Sequence, residues 1–290
     1  MEKTGEELNE PALRKLELVK ELQGTEYPTN ALILFSDDPL RNSMFHYAKV
    51  ECARFKGVSS DEFIDQKSIT TNIATQAEEA YNFVLRQINK GATVEGVYTV
   101  ARWEYPIKAI REVIRNAVVH RDYSLTGKDV KVAVYDDMVE ITSPGLLPPS
   151  IDYAAMESRQ SDARNKVIAP IFKRLGIIDQ WGNGLKLIAD ELKEYPTIEL
   201  RWKEVGLSFQ VQFVKRNFIP TEKGDVGINV GINERLVELL RQNNRLSAEE
   251  LANALGISPR QCERIIADLK AQGIIERKGA KKSGYWDLQK

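Results

Sequence analysis

The sequence predicts an α+β chain of about two domains, the second a small helical module closed by two strands. Three observations predict it. Helical and strand-like apolar periods alternate through roughly the first 217 residues. A Gly- and Asn-rich stretch then repeats Val-Gly-Ile-Asn at 226–229 and 230–233, which reads as a linker. Beyond it the charge changes sign: residues 233–290 carry a net +3, although the whole chain carries −1.

The bulk numbers exclude several classes. At 290 residues the chain has room for about two domains, or three small ones. Hydrophobic residues make up 42% and charged residues 29%, which excludes a wholly disordered chain. No run approaches the ~18 apolar residues of a membrane span. Met1–Glu7 is charged and has no apolar h-region, so no secretory signal is read and a cytoplasmic location is expected. Cys52 and Cys262 lie far apart, which argues against a disulfide framework or a Cys-rich zinc site. With only His46 and His120, a multi-His metal site is not expected either.

The elements follow in order. Leu13, Leu16, Leu18, Val19 and Leu22 predict a helix over 6–23. Residues 30–35 read as a short buried strand. Ser36-Asp-Asp-Pro39 reads as a turn and helix start. Residues 47–55 alternate like a strand. A long helix is predicted over 72–89, closed by Gly91 as its C-cap. One strand is expected over 94–101. Pro106 opens a helix to about 120, because proline suits the first turn. Residues 129–135 and 138–142 read as a hairpin around Asp136-Asp137. Helices are expected over 166–175 and 184–194, and an antiparallel pair over 198–202 and 207–214.

The C-terminal module is the most legible part. A helix over 233–242 buries Leu236, Val237, Leu239 and Leu240. Ser247-Ala-Glu-Glu250 is a capping box that opens a helix to about Leu255. Gly256 supplies a turn, Ile257 is expected to be buried, and Ser258 caps a third helix with Pro259 at its first position. Ile265, Ile266 and Leu269 face inward. Residues 273–279 and 283–288 form two strands around a basic turn. This order resembles the winged helix-turn-helix family. The resemblance implies double-stranded DNA as partner. Ser258, Arg260, Gln261 and Arg264 would begin the reading helix, where Arg and Gln suit guanine and adenine edges. Arg277, Lys278, Lys281 and Lys282 on the wing would meet phosphates or the minor groove.

In the central region, Ile107, Ile110, Ile114, Ala117 and Val118 share one side of their helix. Glu112 and Asn116, four residues apart, fall on the other. A carboxylate and an amide so aligned can hold a hydrated Mg²⁺ and orient a water. His120-Arg121-Asp122 follows. No motif places a Ser or Cys nucleophile beside it, so it reads as a polar cluster ending the helix. Glu140-Ile-Thr-Ser-Pro-Gly145, Arg164-Asn165 and Trp181-Gly-Asn-Gly-Leu185 come next in order. This series resembles the divergent histidine-kinase-like (GHKL) ATPase domain of the AlbA/Schlafen-associated transcriptional regulators, often labelled RecG-related. The resemblance covers roughly residues 25–217.

It implies a Bergerat-like two-layer α/β sandwich over 67–217, with a small α/β segment (1–66) before it. A linker (218–232) and the winged helix (233–290) would follow. The segment normally preceding 1–66 in that family, an AlbA/Schlafen-type domain, is expected to be missing. The resemblance also implies ATP and Mg²⁺ as cofactors. Glu112 would activate water and Asn116 would coordinate Mg²⁺. Ser143 and Gly145 stand where typical members have Asp-x-Gly, whose Asp reads adenine. Ser143 is uncharged and reaches less far. Gly182 and Gly184 would let backbone amides approach phosphates. No GxxxxGK[ST] run occurs, which excludes a P-loop helicase motor. The expected function is a DNA-binding regulator whose central domain binds a ligand or dimerises. The rivals are an ATP-hydrolysing enzyme tethered to DNA and a protein-interaction scaffold.

Overall fold

Local turn chemistry overrides apolar spacing at the start of the chain. The computed structural model describes residues 9–95, 98–158, 160, 162–178, 183–216, 218, 230–255, 259–271, 273–279 and 284–288. Among them, the expected helix over 6–23 is only α1 (Glu10–Lys15), followed by a hairpin of β1 (Val19–Leu22) and β2 (Thr25–Pro28). Glu17 turns left-handed at φ 54°, and Gln23 and Gly24 do so at 52° and 77°. Two successive positive-φ residues make the tight hairpin turn that matches strand twist. The predicted strand over 30–35 is a helix, α2 (Asn30–Phe35), burying Ala31, Ile33 and Leu34. A five-residue apolar run, residues 31–35, does not distinguish the two by period. The helix start at Asp38-Pro39 is present: α3 (Pro39–Met44) is capped by Asp38, whose Oδ1 accepts the Leu40 amide at 2.7 Å.

The sheet strands β3 (Val50–Phe55) and β4 (Phe63–Ile69) come next, then α4 (Ile73–Gln87), capped by Asn72. Gly91 does not cap α4. The helix stops at Gln87 because buried Ile88 turns extended and carries the chain into a strand. The single strand expected over 94–101 is a hairpin of β5 (Lys90–Glu95) and β6 (Tyr98–Trp103), with Glu95 opposite Tyr98. After α5 (Ile107–Val119) come β7 (Val130–Val134) and β8 (Met138–Pro144), then a 3₁₀ turn at Tyr153–Ala155. The unit ends with α6 (Ile168–Arg174), α7 (Gly184–Lys193), β9 (Ile198–Val205) and β10 (Ser208–Lys215).

Six strands form one sheet in the order β4-β3-β7-β8-β10-β9, antiparallel except for β3 beside β7. A parallel neighbour requires a crossover, and here α4, the β5–β6 hairpin and α5 make it. Because β4 spans 63–69, the boundary expected at 66/67 falls inside a strand of this sheet. Val50, Cys52, Val130, Val132, Val139 and Ile141 meet α4 and α5 in the main core. The mixed sheet with its helical layer is the α+β sandwich that the sequence predicts. Within it, α5 packs against α4, α7 and the sheet.

The chain divides into two compact units, Met1–Arg216 and Asn217–Lys290. In the second, α8 (Val230–Gln242) begins three residues before the expected start. It is followed by α9 (Ala248–Leu255), α10 (Pro259–Ala271) and the hairpin β11 (Ile275–Lys278) with β12 (Tyr285–Leu288). Leu236, Leu240, Leu251, Cys262, Ile265 and Trp286 are among its core residues. Among the described residues no helix is long and apolar enough to cross a membrane.

Candidate functional site

One face of α5 builds the wall of a cavity. Glu112, Val113, Asn116, Ala117 and His120 recur at helical spacing and all line it. Ile141 and Ser143 of β8 and Phe209 and Val211 of β10 also line it, together with Leu146, Leu147, Tyr153 and the N-terminal residues of α7. The space that water can fill is about 150 Å³. One water needs only roughly 10–15 Å³ by that measure. The lining is mainly apolar with a few convergent polar groups, the usual character of a small-molecule site.

Glu112 is not on a wet face. It is 7% exposed, because α7 covers the side of α5 left polar by the apolar stripe. Asn116 Nδ2 donates to Glu112 Oε1 at 3.3 Å, which leaves the Asn116 carbonyl oxygen as an acceptor. Gly184, the first residue of α7, stands against that carboxylate. A Cβ there would collide with Glu112 Oε1 and lie 3.1 Å from its Cδ. Glu112 is therefore held at the N-terminus of α7, where a helix dipole favours negative charge. Gly182 lies outside the described residues.

Ser143 faces the same cavity, and its hydroxyl donates to the Ala117 carbonyl at 2.8 Å. With its proton so engaged, the oxygen meets a ligand only as an acceptor. Gly145 has φ +111°, and a Cβ there would lie 3.0 Å from Asp122 Cβ. Glycine is thus required for the loop after β8 to turn past Asp122. Arg164 donates to the Leu146 carbonyl of that loop and lies 3.7 Å from Asp122. Asn165 donates to the carbonyls of Val119 (2.7 Å) and Arg121 (2.9 Å), closing the end of α5. Sequence reasoning named the Arg164-Asn165 pair but gave it no role. Its work is to hold the cavity wall to the α5 terminus.

The polar triplet after α5 divides. Arg121 is 1% exposed and lies between the rings of Tyr47 and Tyr123, donating to four backbone carbonyls. Asp122 accepts from the backbone N–H and hydroxyl of Ser124, which hold its carboxyl below the usual range. These two are structural, as a helix-ending cluster should be. His120 belongs to the cavity instead. Burial, reinforced by Arg164, pushes its pKa down to about 4.

The residues fit the implied cofactors in three respects. The cavity has mainly apolar walls, Asn116 offers an oxygen of the kind Mg²⁺ prefers, and the bare Gly184 lies at a helix start. Among the described residues no three His, Cys, Asp or Glu side chains cluster as a metal site.

The second unit presents its own candidate surface. The capping box is formed: Ser247 Oγ accepts the Glu250 amide at 3.2 Å, while Glu250 accepts from Ser247 N at 2.7 Å. Trp286 is buried, and its indole donates to the Leu246 carbonyl at 2.9 Å, tying the hairpin to the helices. Cys262, Ile265, Ile266 and Leu269 form the buried face of α10. By helical period, positions 260, 261 and 264 fall on the remaining faces, although the side chains of Arg260, Gln261 and Arg264 are outside the described ones. Ser258, Lys281 and Lys282 lie outside the described residues, as do Gly256 and Ile257. Arg277 stands 4.7 Å from the Trp286 ring, and Lys278 pairs with Asp287.

Comparison with known proteins agrees with this division. Residues 127–213 match the family described as "Putative ATP-dependent DNA helicase recG C-terminal", and residues 231–276 match "Winged helix-turn-helix DNA-binding". An uncharacterised HTH-type transcriptional regulator, y4tD of Sinorhizobium fredii, is 44% identical over 41 residues. That match covers 14% of this chain and 24% of the relative. The crystal structure of the DIP2311 protein from Corynebacterium diphtheriae aligns with a TM-score of 0.51 at 18% identity. The alignment covers 83% of this chain and 51% of that one, a likeness of fold. The chain therefore joins a RecG-C-terminal-like, histidine-kinase-type ATPase domain to a winged helix-turn-helix domain.

Proposed function

We propose that this chain is a DNA-binding transcriptional regulator whose first unit binds a nucleotide, ATP with Mg²⁺. The observation that carries the DNA reading is the family match over 231–276, on a module with its own core and basic hairpin. The N-terminal half of α10 would enter the major groove, with Arg260, Gln261 and Arg264 at base edges. The basic hairpin would meet phosphates. Two copies reading two half-sites would raise the affinity of so small a module, so a homodimer working in the cytoplasm is part of the reading.

In the cavity, Asn116 would hold the metal through its carbonyl oxygen. Glu112 would orient a water, and Ser143 would accept a hydrogen bond from the base. Bound Mg²⁺ would supply charge neutralisation at the phosphates. Calorimetric titration of Mg²⁺-ATP into wild type and Asn116→Ala tests the nucleotide part. Binding that disappears in the variant supports it, and absence of heat with wild type at millimolar ATP removes it. Titration with DNA at several salt concentrations tests the other part. Affinity that does not depend on salt counts against phosphate contacts.

A further inference from the structure

Among the polar side chains that line the cavity, His120 has a buried ring nitrogen to which the roles above give no work. His120 is the C-cap of α5, and its backbone amide is satisfied by the Asn116 carbonyl at 2.9 Å. Its ring is not: Nδ1 is buried and has no hydrogen-bond partner among the described residues. The same residue lines the cavity beside Asn116, Ala117 and Ser143.

The charged groups acting on the ring come from α6 and the loop that precedes it. Arg164 and Lys173 disfavour its protonation and Asp162 favours it, but burial dominates. At neutral pH the imidazole is therefore uncharged. A neutral imidazole carries one N–H donor and one lone pair. A buried polar group without a partner is destabilising, and such groups in native folds call for an explanation. Asp162 and Lys173 line the same cavity, yet neither makes a hydrogen bond to Nδ1, and Ile141, Val211 and Phe209 add apolar wall. Ser143 gives its proton to Ala117, and its oxygen makes no hydrogen bond to the ring nitrogen either.

We propose that His120 is a specificity residue that reads the polar edge of a planar heterocycle of the purine class bound in this cavity. This rests on the nucleotide reading above and names the group that would replace the missing aspartate. A heterocycle with adjacent donor and acceptor nitrogens satisfies either tautomer of the ring, and its faces suit the apolar walls.

The test uses the full chain and two probes, adenosine and Mg²⁺-ATP. Adenosine has no phosphates and isolates the base. Wild type, His120→Asn and His120→Phe are compared by calorimetry, with a thermal melt to show that each variant is folded. Asparagine keeps a polar atom near the position of Nδ1, while phenylalanine keeps the ring and removes both nitrogens. The expected result is binding within about threefold for His120→Asn and weakening of about tenfold or more for His120→Phe. A second readout uses the wild type alone. Adenosine should shift the ¹⁵N resonances of His120 and leave those of His46 in place. Equal binding by all three proteins with an unmoved His120 resonance overturns the proposal while the nucleotide reading stands. If wild type binds neither probe, the nucleotide reading fails and takes this one with it.

Discussion

Single residues control the cavity because space there is short. Gly184 is required by the Glu112 carboxylate, which a methyl group would strike. Gly184→Ala should therefore destabilise the first unit by about 1–3 kcal/mol, the usual consequence of overpacking. Urea denaturation measures this, and an unchanged midpoint would show that Glu112 moves aside freely. His120 makes stability depend on pH. Its pKa falls from 6.5 to about 4 on folding. Between those values the unfolded chain binds a proton that the native state does not. Stability then falls as pH drops through this window and levels off below it. The full effect is about 3 kcal/mol. His120→Asn cannot titrate, so its urea midpoint should change less than that of wild type between about pH 7 and pH 4.5. Parallel pH profiles would contradict the assignment.

Elements are held together by side chains that reach across sequence. Pro106, the N-cap of α5, makes no side-chain cap hydrogen bond. The amides of Lys108 and Ala109 are taken instead by Glu191 of α7. In return the start of α7 rests on Glu112 of α5. Each helix thus places a carboxylate at the other's N-terminus. Burial raises the Glu191 pKa despite these two hydrogen bonds. Glu191→Ala should cost about 1 kcal/mol, the scale of a lost cap, and Glu191→Gln less, since an amide oxygen still accepts. A urea series on both variants checks the order. Equal losses would mean that packing, not capping, is what the side chain supplies.

At the scale of the molecule, net charge near zero means that attraction to DNA has to come from a local patch. Within the hairpin, Lys278 is paired with Asp287, and Arg277 lies against Trp286. The strongest salt dependence is therefore expected from Lys281 and Lys282. Replacing both with Ala should lower the salt slope for all DNA sequences. Arg260→Ala or Arg264→Ala should cost about 1–3 kcal/mol at a specific site if that residue makes a bidentate base contact. A double lysine variant with an unaltered slope would take the wing off the phosphates.

The sequence by itself determined the elements whose signals are local. The capping box at Ser247 and Glu250 acts within one helical turn. The buried face of α10 repeats at helical spacing, and Pro106 lies at the start of α5. Such signals stabilise their element whatever surrounds it, so they can be read before the fold is known. The order of motifs from Glu112 to Gly184 also picked out residues that the fold brings together, since Glu112, Asn116, Ser143, Gly145 and Gly184 all line one cavity.

Only the tertiary structure decided the rest. Asn30–Phe35 became a helix, and residues 19–28 a hairpin, because five apolar residues suit either period and the turn at Gln23-Gly24 prevailed. Glu112 was buried because α7, distant in sequence, closes over it. His120 lines the cavity while Arg121 is buried against Tyr47 and Tyr123, a division that local sequence does not show. Consecutive residues at a helix end point in different directions, and which of them meets solvent, core or cavity depends on elements that local sequence does not contain.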